Sequence, residues 1–185
     1  MATYVLVHGA WSGAHNFRHV RRLLQQVGHE VFTPSLTGIG ERAHLTGPTV
    51  DLTTHVWDVA NQVLYEDLTD IVLVGFSYGG FVVTGALAHL ADRVRHLVYL
   101  DAFVPKNGQS PFDLSPAWRS KEIRDAAPDG ARAALLRKAE LPVRPPRCVS
   151  AAGQHLCLHP LHIDSRDAVP DPPVVQALER VGPDL

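Results

Sequence analysis

The sequence predicts an α/β protein in which a mostly parallel central sheet is flanked by helices. Three observations lead to that prediction. Short apolar runs recur along the first hundred residues, and each has the length of a buried strand. Segments with apolar residues at helical spacing separate these runs. Strands that alternate with helices in this way form parallel sheets, because each helix provides the crossover to the next strand.

The first 42 residues contain two of these strands and one helix. Tyr4 to Val7 is a continuous apolar run, which predicts a strand buried on both faces. Residues 16–27 carry apolar side chains at helical spacing and are followed by Gly28, so we expect a helix that ends there. A short strand is predicted at 30–33. The glycines that follow it, at 37–42, indicate a loop at the carboxyl end of that strand.

Two local features are predicted between the loop and the next strand. Glu41 and Arg42 are adjacent in the loop, and we expect them to form a solvated ion pair. Thr53 or Thr54 is expected to cap the following helix, because threonine accepts hydrogen bonds from the first free N–H groups of a helix. That helix carries apolar residues at helical spacing as far as Val63.

The most regular unit of the sequence lies between residues 70 and 101. Residues 70–74 form a third apolar run, which Gly75 is expected to break. A helix of small and apolar residues is predicted from 79 to 91. A fourth strand follows at 95–100 and ends at Asp101.

Composition narrows the class of protein and of partner. The chain has 185 residues, 45% hydrophobic and 19% charged, which predicts one globular domain spanning residues 1–185. A formal net charge of −2 argues against nucleic acid and anionic membrane surfaces as partners. Cys148 and Cys157 are too few for a disulfide framework. No apolar run is long enough to span a bilayer and no basic leader is seen, so a cytoplasmic location is expected.

The character of the sequence changes after residue 105. Residues 105–146 contain prolines, Trp118 and one helix-like stretch, which indicates a small helical cap inserted over the carboxyl edge of the sheet. Residues 141–185 have poor periodicity and many prolines. The C-terminal part is therefore predicted to be atypical or truncated.

The third strand and the next helix are joined by a Gly-x-Ser-x-Gly pattern centred on Ser77. A serine in this context lies on a sharp turn above the sheet, near a helix N-terminus that favours developing negative charge. A serine hydroxyl needs a neighbouring base and oxyanion donors to act as a nucleophile. The pattern and its flanking elements predict that Ser77 is the nucleophile of an α/β-hydrolase fold.

Two backbone N–H groups are candidates for the oxyanion hole. In this fold one donor is the residue after the nucleophile, here Tyr78. The other comes from the loop after an earlier strand, and Ala10 in the His8-Gly9-Ala10 turn is the natural candidate. His8 is expected to be a structural hydrogen-bonding residue rather than the base, because the chain order in this fold is serine, acid, histidine.

Four stretches of the chain resemble one branch of that fold. They are Val-His-Gly-Ala-Trp at 7–11, Phe-Thr-Pro-Ser-Leu-Thr-Gly at 32–38, Val-Gly-Phe-Ser-Tyr-Gly-Gly at 74–80 and Val-Tyr-Leu-Asp-Ala-Phe-Val-Pro at 98–105. In these stretches the chain resembles bacterial α/β-hydrolase-fold esterases related to plant methyl esterases and hydroxynitrile lyases. The resemblance implies a cofactor-free enzyme with a Ser-His-Asp triad, acting on small esters beneath a helical cap. It also implies a longer chain with two further strands, and the tail departs from that pattern.

The acid and the base of such a triad are sought after Ser77. Among the acidic residues before the tail histidines, Asp101 alone follows a strongly strand-like run, and it is the predicted acid. The alternative is that Asp101 caps its loop, as strand-end carboxylates often do. The candidate bases are His155, His159 and His162, and His162 is preferred because a loop and a final helix follow it, as the resemblance implies.

The same histidines, with Cys157, have a spacing reminiscent of metal ligands. A single cysteine and the intervening Pro160 make the pattern irregular, so no metal site is predicted.

The apolar side chains of Trp11, Phe76 and Trp118 are expected to line the substrate pocket. The predicted function is hydrolysis of a small carboxylic ester through an acyl-enzyme on Ser77. Two alternatives are a non-catalytic ligand-binding protein and a lyase or lactonase on the same scaffold.

Overall fold

The computed structural model describes residues 1–115, and these contain a parallel sheet with helices on both of its faces. The strands lie in the order β2-β1-β3-β4, and each neighbouring pair is parallel. The strands are β1 (Thr3–Val7), β2 (Glu30–Phe32), β3 (Ile71–Phe76) and β4 (Val94–Leu100), and the helices are α1 (Arg18–Gln26), α2 (Leu52–Tyr65), α3 (Gly79–Leu90) and the short α4 (Pro111–Leu114). The predicted α/β class is confirmed for this part of the chain.

The sheet has a separate hydrophobic core on each of its two faces. Val5 of β1 and Leu73 of β3 are fully buried in the cluster that also contains the apolar faces of α2 and α3. Leu6 and Val74 are fully buried on the opposite face, in the cluster that includes the apolar face of α1. Alternate residues of a strand point to opposite faces, so both central strands read as continuous apolar runs. The prediction that the first strand is buried on both faces is confirmed.

The structure corrects the predicted cap of α2. Asp51, rather than Thr53 or Thr54, is the N-cap, and its carboxylate accepts a hydrogen bond from the Thr54 N–H at 3.0 Å. Thr54 occupies the third helical position, where its hydroxyl accepts from the Asp51 N–H at 3.4 Å. The two residues thus form a reciprocal capping box, in which a threonine takes the part usually played by glutamate.

The prediction that Gly75 breaks the third strand is wrong. β3 continues through Gly75 to Phe76, and Gly75 is paired with Val7 on one side and Tyr99 on the other. A Cβ at Gly75 would lie 2.8 Å from the Gly79 carbonyl oxygen. The glycine is therefore required by the close return of α3 over the strand, not by a change of backbone direction.

The strand order reverses between β1 and β3, and in open α/β sheets the carboxyl ends of the strands border a crevice at such a point. The chain passes from β1 outward to β2 and then crosses back to β3 on the other side of β1. In open α/β sheets, ligands bind where the strand order reverses in this way. The loops that follow β1 and β3 meet at that point. Within residues 1–115, no helix is long and apolar enough to cross a bilayer.

Candidate active site

Ser77 lies on the turn between β3 and α3, hereafter the elbow (residues 75–79). Its φ of 53° is in the left-handed region, which residues other than glycine seldom adopt. The serine is half-buried at the crevice described above. This strand–turn–helix arrangement is the context in which Gly-x-Ser-x-Gly presents a nucleophile. The structural context predicted for Ser77 is therefore present.

Two glycines after the serine let the elbow pack closely on its neighbours. A Cβ on Gly79 would lie 2.5 Å from the carbonyl oxygen of Val7 in β1. A Cβ on Gly80 would overlap the carbonyl oxygen of Phe103, in the loop after β4. Both obstacles are backbone atoms, which cannot move aside as a flexible side chain can. The start of α3 therefore packs directly against the backbone at the end of β1 and in the loop after β4.

The loop after β4 holds the elbow through its main chain. The Ser77 N–H donates to the Asp101 carbonyl oxygen at 3.2 Å, and the Phe103 N–H donates to the Ser77 carbonyl oxygen at 3.1 Å. Asp101 itself has a φ of 42° and an exposed side chain, whose carboxylate accepts no hydrogen bond from the described residues. Asp101 is therefore adjacent to the nucleophile through its backbone, and its part in a triad stays a prediction.

The turn after β1 approaches the nucleophile from the other side. A Cβ on Gly9 would lie 3.1 Å from the Ser77 Cβ and 3.5 Å from its Oγ. Within residues 1–115, neither the Ala10 N–H nor the Tyr78 N–H donates a hydrogen bond to the protein. Tyr78 directly follows Ser77 in the sequence, and Ala10 directly follows Gly9, which contacts Ser77. The turn that carries Ala10 and the elbow that carries Tyr78 are thus in contact at Ser77.

His8 has a structural role, as expected. It is fully buried, and its Nδ1–H donates to the Gly9 carbonyl oxygen at 2.8 Å while its Nε2 accepts from the Leu36 N–H at 3.0 Å. Burial is the main reason that the pKa of His8 is lowered. Both ring nitrogens are engaged with backbone groups, so His8 ties the end of β1 to the loop after β2 and has no nitrogen free for Ser77.

A second buried histidine was not singled out in the sequence. His55 on α2 is fully buried; its Nε2 lies 2.8 Å from the Thr37 carbonyl oxygen and its Nδ1 lies 2.9 Å from the Tyr78 hydroxyl. Burial is again the main cause that lowers the pKa of His55. The sequence does contain one indication of this histidine, which is its position in the apolar stripe of α2 beside Val56 and Val59. A histidine inside such a stripe is buried and therefore needs polar partners.

Glu41 and Arg42 do not form the solvated pair that was expected. Glu41 accepts hydrogen bonds from the His15 N–H at 2.8 Å and from the Ser35 hydroxyl at 3.1 Å, and it contacts the His15 ring. Desolvation alone would raise the pKa of Glu41, but hydrogen bonds from its own backbone, His15 and Ser35 lower it to about 2. Arg42 instead donates to Asp58 at 3.1 Å. The two side chains fasten the loop after β2 to separate neighbours.

The remaining predicted site residues are placed as follows. Trp11 is 56% exposed in the turn after β1. Phe76 is half-buried, and its ring packs edge-on against Phe17 with centroids 6.5 Å apart. Within residues 1–115, no three His, Cys, Asp or Glu side chains lie close enough together to hold a metal ion. The predicted cap and tail and their candidate residues lie outside the described residues: Trp118, Cys157, His155, His159 and His162.

The two buried neutral histidines predict that the protein loses stability in mild acid. The folded-state pKa values of His8 and His55 are lowered, whereas the unfolded chain titrates near 6.5, so the unfolded state binds more protons as the pH falls below that value. As the pH falls, each histidine should lower the free energy of unfolding by up to about 1.4 kcal/mol per pH unit, until the pH reaches the lowered pKa of that histidine in the folded state. Urea unfolding at pH 7.5, 6.5 and 5.5 measures this slope, at pH values above the range in which Glu41 titrates.

The control for this experiment is His44→Gln, which makes a comparable replacement at an exposed histidine. His55→Asn should lower overall stability but remove one histidine's part of the slope. A slope that is the same in the wild type and in His55→Asn would contradict the assignment of His55 as buried and neutral.

Comparison with known proteins places this fold. A family model described as "Alpha/beta hydrolase family" matches residues 4–183. A carbendazim-hydrolyzing esterase of Nocardioides sp. (strain SG-4G) is 47% identical over 138 residues, which are 75% of this chain and 57% of that protein. Methylesterase 1 of Arabidopsis thaliana is 32% identical over 119 residues, which are 58% of this chain and 42% of that protein.

A solved structure supports the same relationship. An extracellular alpha/beta-hydrolase from a Paenibacillus species superimposes with a TM-score of 0.63 at 33% identity, covering 69% of this chain and 52% of that one. The chain thus spans about half the length of the relatives it matches. The predicted α/β-hydrolase fold is confirmed, as is the resemblance to bacterial esterases, plant methyl esterases and hydroxynitrile lyases. Since the family model covers residues 4–183, this chain belongs to the alpha/beta hydrolase family.

Proposed function

We propose that this protein is a serine hydrolase that cleaves small carboxylic esters with Ser77 as its nucleophile. The observation that carries the proposal is the elbow itself: Ser77 is held at a φ of 53° in the crevice between β1 and β3. Strain of this kind costs on the order of 1–3 kcal/mol and persists where the surrounding structure enforces it, most often at functional sites. The close contacts of Gly79 and Gly80 with the sheet edge provide that enforcement.

The oxyanion hole of the proposed enzyme consists of the Tyr78 and Ala10 N–H groups. Support for this comes from the contact of Gly9 with Ser77 and from the absence of any other acceptor for these two donors within residues 1–115. Unpaired N–H groups beside a nucleophile can donate to the oxygen that gains charge as the carbonyl carbon becomes tetrahedral. One such donor is typically worth about 10²–10³ in kcat.

The proposed reaction has two halves. The Ser77 Oγ forms a bond to the ester carbonyl carbon while its proton passes to a histidine; the bond to the alcohol oxygen then breaks, and the histidine returns that proton to the leaving alcohol. A water molecule next loses a proton to the histidine and cleaves the acyl-enzyme, which releases the acid and restores Ser77. We assign the histidine to His162, with His155 and His159 as the alternatives, and the orienting acid to Asp101.

The substrate class rests on similarity and on the crevice. The Nocardioides and Arabidopsis relatives are both named esterases, one for hydrolysis of carbendazim. In this chain, exposed Trp11 lies in the turn after β1 that contacts Ser77, and half-buried Phe76 lies just before Ser77. Apolar side chains next to a few converging polar groups suit a small ester better than a charged metabolite. The proposal is therefore limited to small esters with apolar acyl or alcohol parts.

The direct test is covalent capture of the nucleophile. The full chain is incubated with a fluorescent fluorophosphonate and with p-nitrophenyl acetate, and heat-denatured protein serves as the control. We expect one fluorophosphonate adduct per chain, located by mass spectrometry on the peptide that contains Ser77, and a burst of p-nitrophenol. A chain that is folded by circular dichroism yet takes up no probe and releases no p-nitrophenol would refute the proposal and indicate a non-catalytic binding protein.

A further inference from the structure

The side chain of Tyr78 is buried and makes specific contacts that a role of its backbone N–H alone would not require. Tyr78 is 2% exposed, and its ring stacks on Phe81 with centroids 6.3 Å apart. Its hydroxyl lies 2.9 Å from the His55 Nδ1, and the two rings meet edge to face at 83°. Burial raises the pKa of Tyr78 well above its ordinary value, so the hydroxyl keeps its proton at every physiological pH. Within residues 1–115, the neutral tyrosine hydroxyl therefore has His55 as its hydrogen-bond partner.

The hydrogen bonds on His55 have only one consistent direction. The Thr37 carbonyl oxygen can only accept, so the His55 Nε2, 2.8 Å away, must carry the proton. Since the imidazole is neutral, its Nδ1 is an acceptor and the Tyr78 O–H donates to it. Reversal would require a second proton on a ring that is wholly buried. The tyrosine hydroxyl is thus fixed in direction as well as in place.

Thr37 is itself held rigidly, so His55 has a fixed support. The carboxylate of Asp58 accepts from the Thr37 N–H at 2.6 Å and from its hydroxyl at 2.9 Å. Arg42 donates to the same carboxylate at 3.1 Å and to the Ser35 carbonyl oxygen at 3.1 Å. A continuous path of hydrogen bonds therefore runs from the surface guanidinium, through Asp58, Thr37 and His55, to the elbow.

We propose that His55 is a positioning residue which, through the Tyr78 side chain, fixes the direction of the Tyr78 N–H at the oxyanion hole. Residue 78 directly follows the strained Ser77 and begins the turn into α3, so its peptide plane depends on where its side chain is secured. A donor that is rotated by a modest angle loses most of its value, because hydrogen bonds weaken steeply as they bend. The inference rests on the proposed function, which supplies the reaction that Tyr78 assists.

Two replacements of His55 separate positioning from stability. In His55→Asn, the side-chain amide can occupy the place of Nδ1 and accept from Tyr78, but it cannot reach Thr37. In His55→Gln, the longer amide can occupy the place of Nε2 and donate to Thr37, but it leaves Tyr78 without its acceptor. Each variant loses one buried hydrogen bond and should be destabilised to a similar extent. Only the second frees the tyrosine.

We expect kcat for p-nitrophenyl acetate to fall by about 10- to 100-fold in His55→Gln, with KM little changed, because one oxyanion donor is misdirected. Tyr78→Phe should lose a similar factor. His55→Asn should stay within about 3-fold of the wild type, and so should His89→Gln, which replaces an exposed histidine on α3. The rate of fluorophosphonate labelling should follow the same order as kcat, while melting temperatures should be similar for the two His55 variants.

The outcomes are distinguishable. If His55→Asn loses as much kcat as His55→Gln, or if His55→Gln and Tyr78→Phe retain the wild-type kcat, the positioning role is refuted while the proposed hydrolase remains. If the wild type itself neither takes up the probe nor releases p-nitrophenol, the proposed function fails, and the positioning role falls with it.

Discussion

Replacing Ser77 by alanine is expected to lower kcat for ester hydrolysis by at least about 10⁴-fold, because no other group in the elbow can form the acyl-enzyme. In serine hydrolases the nucleophile and its base act as a unit, so removal of the nucleophile alone loses nearly everything except the contribution of the oxyanion donors and binding. The Ala10 and Tyr78 N–H groups are untouched by the change. A small residual rate above buffer is therefore expected, without a burst.

The measurement is steady-state and pre-steady-state release of p-nitrophenol, together with probe labelling and urea unfolding. Alanine has to adopt the φ of 53° that serine adopts here, so Ser77→Ala should unfold at about the wild-type urea concentration. Ser77→Gly is the matched second variant. It is equally without a nucleophile, but glycine adopts this conformation freely and should be the more stable of the two by about 1 kcal/mol.

A Ser77→Ala protein that keeps a burst, or that is labelled as quickly as the wild type, would show that another residue is the nucleophile. Equal stability of the alanine and glycine variants would show instead that the elbow stores no backbone strain.

The parts of the fold that could be read from the sequence are those set by local apolar patterns. The runs that became β1 and β3 are buried in a parallel sheet, where both faces need apolar side chains, so their signal is continuous and strong. Ser77 could be found because its turn needs glycines at fixed positions on either side. The strand end that the sequence predicts at Gly75 is wrong, because a glycine required by a close approach has the same sequence pattern as one required by a bend.

Interactions between distant segments could not be read in the same way. His55 and Tyr78 are 23 residues apart, and only the packing of α2 against α3 brings them together. Glu41 reaches His15 over 26 residues, whereas its sequence neighbour Arg42 turns to another partner. The domain extent, helical cap, cytoplasmic location and choice of base stay predictions.

The second large effect is expected from Gly79→Ala, which should destabilise the fold by about 3 kcal/mol or more. Helix propensity alone predicts the opposite sign, since alanine stabilises a helix by up to about 1 kcal/mol relative to glycine. At this position the added Cβ would lie 2.5 Å from the Val7 carbonyl oxygen and 3.0 Å from that of His8. Both atoms belong to the backbone at the end of β1, which is anchored in the middle of the sheet.

The overlap can be relieved only if α3 moves away from β1, and this movement would open the buried layer beneath it. Overpacking of a well-packed core typically costs about 1–3 kcal/mol and occasionally more, and displacement of the buried start of α3 lies at or above the upper end of that range. Because the same movement shifts Tyr78 and Ser77 away from the Gly9 turn, any Gly79→Ala protein that folds should also be labelled more slowly by the fluorophosphonate.

Urea unfolding followed by circular dichroism measures the change in free energy, and Gly47→Ala is the matched control. Gly47 has no atom within 4 Å of the position of an added Cβ and lacks a positive φ, so its replacement should be neutral or slightly stabilising. If both variants were as stable as the wild type, the end of β1 would have to be able to yield by several tenths of an ångström. The oxyanion turn would then be too loosely held to act as a preorganised donor, because catalysis by such groups depends on their being fixed before charge develops.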